Sequence, residues 1–204
     1  MAPSSSKHLP EAERRAETVR AVIDLAAVSD PAQITTAAIA KQMGLTQGSI
    51  FRHFVNKDAI AKEVVDWISD LMAQGAARAV EQSATPTAAL KAIFFGHVEF
   101  VATRPGVPRI LMSEMQKAGD SEAKKLVLQL MQRYRKVLAD LISQGQAQGL
   151  LDPDLEAAVA AQVFMGVIHG LVVQTMLTAD PKAMRKNAPK AYAIFIRGLG
   201  GVDA

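Results

Sequence analysis

Residues 34–71 read ITTAAIAKQMGLTQGSIFRHFVNKDAIAKEVVDWISDL, and the reading of this stretch decides the fold. Thr35 places a side-chain oxygen just ahead of an apolar run at helical spacing, so it reads as the N-cap of a helix over Thr36–Met43. Gly44 stands where a left-handed residue ends a helix. Thr46 reads as the cap of a helix of about seven residues, and Asn56 as the cap of a long helix that opens with Lys57-Asp58 and reaches Gln82. Ile39, Ala40, Met43, Leu45, Ile50 and Phe54 share the inward face. A helix, a tight glycine turn and a short second helix form the layout of a helix-turn-helix, whose second helix enters the DNA major groove. A corner with this apolar inner face also occurs in helical proteins that never meet DNA, so spacing by itself leaves DNA binding open.

On a DNA-binding reading, Gln47, Gly48, Ser49 and Arg52 are the outward residues that read bases. Gln bonds adenine bidentately, Ser donates or accepts, and Gly lets the backbone come close. Thr35, Thr36, Phe51, His53 and Lys57 suit phosphate contacts, which position the protein without reading sequence. On the plainer reading, Gln47 and Ser49 are ordinary solvated polar residues.

The run TTAAIAKQMGLTQGSIFRHFVNKDAIAKEV closely resembles the DNA-binding head of the tetracycline-repressor (TetR) family of bacterial regulators. The resemblance covers roughly residues 14–66 and is densest at Thr35, Ile39, Ala40, Gly44, Leu45, Gly48-Ser49, Phe51-Arg52-His53-Phe54 and Lys57. Two departures stand out. Phe51 occupies a position where the family usually has Tyr, which removes a hydroxyl–phosphate bond, and the loop Ser29–Gln33 lacks the usual Gly-aromatic pair. Beyond residue 85 the likeness is one of length and helix layout.

Outward from the head, the pattern is helical throughout. Val19, Val22, Ile23 and Ala26 recur at helical spacing over Glu11–Val28, and no strand alternation follows residue 85. Further helices are expected at about 87–103, 107–117, 121–148, 154–178 and 187–198, separated by Gly- and Pro-containing breaks. The expected architecture is all-α with about nine helices: an arm over residues 1–10, a three-helix head over 11–58 that includes the first turn of helix four, and a body over 59–204 reached through that helix. Half of the 204 residues are hydrophobic, which is ample for a core, and aromatics are only 5%. With no cysteine, the chain has neither disulfides nor thiolate metal sites. The net charge of +3 is mildly concentrated at the N-terminal end, but it is small, so a nucleic-acid partner must be argued from local placement. The opening MAPSSSKHLPEAERR has no signal-peptide run, and Ala157–Leu177, the most apolar stretch, carries His169 and two Gln. A soluble cytoplasmic protein is expected.

By resemblance, the body of such a regulator holds a ligand pocket and, in its last two long helices, a homodimer interface. Phe94, Phe95, Phe100, Ile110, Leu111, Met112, Met115, Leu128, Met131, Tyr134 and Met165 are the candidates to line the pocket, although spacing does not separate these from a filled core. Val159, Val163, Gly166, Val167, Gly170, Gln174, Ala191, Ile194 and Phe195 are the candidates for the interface, because 154–178 is apolar around most of the helix. His97 and His169 read as structural, with no metal site and no cofactor. Hydrolase, metalloprotease, phosphate-loop and dinucleotide motifs are absent, and Glu114 and Asp152/Asp154 have no spaced partner, so no enzyme is expected. Arg133, Arg135 and Lys136 read as a solvated face. The expected function is a dimeric regulator, most simply a repressor released from a palindromic operator by a small apolar or amphipathic molecule. The alternative is an architectural or occlusion-type DNA-binding protein, or a helical interaction module, without such an inducer.

Overall fold

The computed structural model describes residues 10–178 and 180–201, the side chain of Pro181 excepted. Residues 1–9 of the expected arm lie outside them. The described residues form nine α-helices and one 3-10 turn, with no strand. In order they are α1 (Glu11–Val28), the turn (Pro31–Gln33), α2 (Thr36–Gln42), α3 (Gln47–Phe51), α4 (Lys57–Gln82), α5 (Pro86–Thr103), α6 (Gly106–Gln116), α7 (Glu122–Ala147), α8 (Ala157–Thr178) and α9 (Pro181–Gly198).

Local chemistry accounts for most boundaries. Thr35 caps α2 by accepting the Ala38 amide at 3.1 Å, and Asn56 accepts the Ala59 amide at 2.8 Å. Gly44 follows α2 at φ 66°, a conformation that costs glycine nothing. Thr46 makes no cap bond; its hydroxyl lies 3.0 Å from that of Ser49 instead. The third helix is shorter than the seven residues expected, because the His53 and Phe54 amides both close onto the Ile50 carbonyl at 3.0 Å and tighten its end. Asp152-Pro153-Asp154 does not start α8. The Asp152 carboxylate accepts the Asp154 amide at 2.9 Å, and Gln146 donates to the Asp152 and Leu155 carbonyls, which holds a turn until Ala157. Conversely, α9 begins at Pro181 rather than 187, since Asp180 accepts the Lys182 amide at 2.9 Å and proline suits a first helical position. Pro189 is then carried inside that helix.

Two compact units result. Among the described residues, the first holds the chain up to Ile68 together with Arg104–Val127; the second holds Ser69–Thr103 and those from Leu128 onward. The head is thus larger than residues 11–58, because α6 packs on α1. Its first residue, Gly106, lies directly against the α1 backbone, where an added Cβ would meet the Ile23 carbonyl oxygen and lie 3.0 Å from the Ala27 nitrogen. Val107 and Ile110 are buried behind it, and Arg109 donates to the Ser29 carbonyl at 3.2 Å, satisfying an orphan acceptor at the end of α1. In the second unit, α5, α8 and α9 pack on one another through rings. Phe94 stands edge-on to Phe95 and Phe164 at 5.5 Å, and Tyr192 tilts against Phe94 at 5.1 Å.

Candidate nucleic-acid interface and groove

In the first unit Ile39, Ala40, Ile50 and Phe54 are buried as the inward face requires, while Met43 and Leu45 are half-buried. That burial turns Gln47, Gly48 and Arg52 outward to full exposure, with Ser49 half-buried beside them. The Gln47 amide nitrogen donates to the Thr36 hydroxyl at 2.6 Å, which ties the start of α3 to the start of α2. One amide proton and the carbonyl oxygen of Gln47 stay available, the pair that a bidentate adenine contact uses.

Beside α3 a shallow depression is lined by Ala32, Gln33, Ile34, Thr35, Thr36, Phe51, Asn56 and Lys57. It gathers four of the five residues expected to meet phosphate. Phe51 is 47% exposed for a large ring, so its face is free to contact a sugar or phosphate although it lacks a hydroxyl. The Lys57 ammonium is held at the depression by the Ala32 carbonyl at 3.0 Å. His53, the fifth, is half-buried and offers its carbonyl to Arg15 at 3.2 Å. Arg15 also pairs with Glu63 and lies 4.8 Å over the Phe54 ring, so it locks α1 to the corner between α3 and α4. Nothing in the local sequence marks Arg15 for this role, because Phe54 and Glu63 lie far from it along the chain.

The second unit carries a groove of about 540 Å³ between the second half of α4 and α7. Ala73, Ala76, Ala77 and Val80 form one wall, Leu130, Val137 and Leu141 the other, with Tyr134 between them and Ser69, Glu81, Arg133, Asp140 and Gln144 around the edge. Of the residues expected to line a pocket, Tyr134 is on this wall and the rest are not. Phe94 and Phe95 are spent in the ring cluster, and Met165 is buried on α8. Phe100 and Met131 are half-buried away from the groove. Ile110, Leu111, Met112 and Met115 belong to α6 in the first unit; Leu111 packs on Val65, Ala123 and Val127, and Met115 is exposed. Leu128 is exposed as well. Large apolar residues close space up, whereas the small ones on α4 leave it open, and the Ala73, Ala76/77, Val80 spacing was the available signal.

His97 on α5 places Nδ1 3.2 Å from the Tyr134 hydroxyl, with the rings edge-on at 5.5 Å. Burial, aided by the nearby His169, pushes His97 down from its usual 6.5 to about 4, and burial pushes the Tyr134 hydroxyl up. The unfolded chain therefore binds a proton that the folded chain refuses. Stability is expected to fall as pH drops below about 6.5, by at most about 3 kcal/mol near pH 4, and to level off below that. Urea midpoints at pH 7 and 4.5 check this, and His97→Gln should flatten the difference. Glu114 is buried on α6 and, against the reading that it lacks a partner, accepts from Lys117 at 2.6 Å. Arg133, Arg135 and Lys136 are exposed, and Lys136 pairs with Asp140 at 2.8 Å.

Finally, α8 and α9 present an apolar face. Val159, Val163, Val173, Met176, Leu177 and Ile194 are exposed, and an apolar trough runs between Val159, Val163, Val167, Ile194 and Phe195. Gly166, Gly170 and Gln174 are exposed on α8, Val167 and Ala191 half-buried, and Phe195 is buried. Among the described residues, α8 is the helix long and apolar enough to cross a membrane by length and composition.

A family profile described as bacterial regulatory proteins, tetR family, matches residues 21–64, and one described as tetracyclin repressor-like, C-terminal domain, matches residues 83–173. Among curated proteins, the nucleoid occlusion factor SlmA of Marinomonas sp. (strain MWYL1) is 26% identical over 161 residues, covering 78% of this chain and 81% of that protein. Among solved structures, the ketosteroid transcriptional regulator KstR2 of Mycobacterium tuberculosis superposes with a TM-score of 0.75 at 20% identity, over 91% of this chain and 94% of that one. The transcriptional regulator FadR of Bacillus subtilis, solved in complex with stearoyl-CoA, gives 0.75 at 19% identity, over 92% and 99%.

Proposed function

Because the chain belongs to the TetR family of transcriptional regulators, it is a DNA-binding regulator, and we propose that it acts as a homodimeric repressor released from a palindromic operator by a small apolar or amphipathic molecule. The observation that carries the DNA half of this reading is the grouping on one surface of exposed Gln47, Gly48 and Arg52 with the Thr35, Thr36, Phe51 and Lys57 depression. The first set is chemically suited to base edges, the second to phosphates. Two heads then take half-sites one turn apart, roughly 34–36 Å. The groove along α4 is the proposed effector site, and α4 continues unbroken from it to Lys57 beside the base-reading helix. An effector shifts such an equilibrium only as far as it prefers the released state. Because its proposed target is chromosomal DNA, we place its site of action in the cytoplasm.

Footprinting on the promoter regions beside its own gene tests the reading; protection no better than on random duplex overturns it. Within that assay, Gln47→Ala is expected to relax sequence preference at a cost on the order of 1–3 kcal/mol, and Thr36→Val, which frees the Gln47 amide, to do so by less. Lys57→Ala should weaken cognate and random DNA alike and lower the slope of log affinity against log salt by about one. Equal losses on both DNAs for Gln47→Ala would remove it from base reading.

A second reading is an occlusion-type DNA-binding protein without a small-molecule inducer. What favours it is the likeness to nucleoid occlusion factors over most of both chains, with the aromatic residues of the second unit packed on one another. Operator affinity that no groove ligand alters would select it.

A further inference from the structure

The groove between α4 and α7 has walls of alkyl side chains and, as its buried polar side chain, Tyr134. Taking the groove as the effector site, as proposed above, we infer that it is built for an uncharged apolar molecule bearing one hydrogen-bonding group, an alcohol above all, and not for a carboxylate, an ammonium or an acyl-CoA. The argument is one of charge. A buried ion must be met by an opposite charge or by several hydrogen bonds, or it stays in water. Tyr134 is bonded to His97, and both are neutral through the physiological range, since burial holds the phenol's pKa up and the imidazole's down. Ser69, at the edge, is uncharged too.

The charges present are exposed at the edge and of mixed sign: Arg133 against Glu81 and Asp140, with Asp140 already paired to Lys136 at 2.8 Å. One arginine beside two carboxylates is no receptor for the phosphates of a coenzyme A, and Arg133 in turn opposes a cation. FadR of Bacillus subtilis, which shares the fold, was solved with stearoyl-CoA, the ligand class that these edge charges disfavour in this chain. The volume, about 540 Å³, is within the range of small-molecule sites.

The tyrosine–histidine pair also selects the polar group. If the Tyr134 hydroxyl donates to His97 Nδ1, the phenol oxygen is left to accept. If Nδ1–H donates to the phenol oxygen, the hydroxyl proton is left to donate. An alcohol satisfies either arrangement, whereas a ketone satisfies the second alone.

Titration calorimetry on the full chain with a ten-carbon series tests the inference: 1-decanol, 2-decanone, decanoate, decylammonium and decanoyl-CoA. The expected result is 1-decanol binding at least tenfold tighter than either ion, with decanoyl-CoA failing to compete; 2-decanone follows 1-decanol or the ions according to the tautomer. Tyr134→Phe should bring the alcohol to within threefold of decane-like partition. Ala77→Trp, an exposed wall position whose replacement leaves the core untouched, should abolish binding. The inference is overturned if decanoate or decanoyl-CoA binds as tightly as the alcohol, if no member of the series binds, or if Ala77→Trp changes nothing. Should 1-decanol bind as expected while operator affinity stays constant, the inducer reading fails and the ligand class stands.

Discussion

Gly106→Ala is expected to be among the most damaging single-methyl changes in this protein, lowering unfolding free energy by about 3 kcal/mol or more. The added Cβ would run into the Ile23 carbonyl oxygen and lie 3.0 Å from both the Ile23 carbonyl carbon and the Ala27 nitrogen. All three are backbone atoms of α1, so no rotamer change relieves the clash; α6 must lift off. Lifting it exposes Val107 and Ile110, now buried, and breaks the Arg109 bond to the Ser29 carbonyl. Because α1 carries the Arg15 lock on the corner between α3 and α4, operator affinity should fall with stability. Gly96→Ala is the control. It sits inside α5, a Cβ there meets nothing within 4 Å, and it should gain about 1 kcal/mol from helix propensity. Urea melts of the two variants decide the matter. A Gly106→Ala protein as stable as the parent would mean that α6 does not dock on α1 this closely.

The second large effect is expected at Ile194→Asp. Ile194 is 73% exposed on α9 and borders the apolar trough it shares with Val159 and Val163 of α8. In one copy of the chain the change is harmless, as an exposed isoleucine has little burial to lose. Across the proposed two-fold interface it would place two carboxylates in a patch that offers no cation along its trough, and the pairing would be lost. Sedimentation should shift from dimer to monomer at micromolar concentration. Affinity for the full operator should drop at least about a thousandfold, towards non-specific binding, because one head alone reads half a site. Gly170→Ala gives an independent check. A methyl there meets nothing within 4 Å in the isolated chain, so a loss of dimer from this change places a second backbone close by. Persistence of the dimer in Ile194→Asp would move the interface elsewhere.

The readable parts of this protein were those governed by near neighbours along the chain. Thr35 and Asn56 cap their helices and Gly44 takes a left-handed turn, because each effect acts within about four residues. The alternation that buries Ile39, Ile50 and Phe54 also turns Gln47, Gly48 and Arg52 outward. The body was less legible. Apolar periodicity marks Phe94, Met112, Met115 and Met165 as one class, yet Phe94 and Met165 are buried in a ring-packed core, Met115 is exposed, and Met112 belongs to the other unit. Asp152-Pro153-Asp154 carries start signals but makes a turn, since Gln146 takes the carbonyls that a helix would use.

By itself, then, the sequence determined the all-α class, the helix-turn-helix and the sides of its helices that face out, because capping, turn conformation and a 3.6-residue period are local properties. Three matters were decided by the tertiary structure: that Arg104–Val127 joins the head, that α4 and α7 enclose a groove at Tyr134, and that the apolar surplus of α8 stays on the surface. Each depends on which elements converge and on how near one backbone comes to another. The glycine at 106 records that distance in the sequence, but only the packed helices give it a meaning.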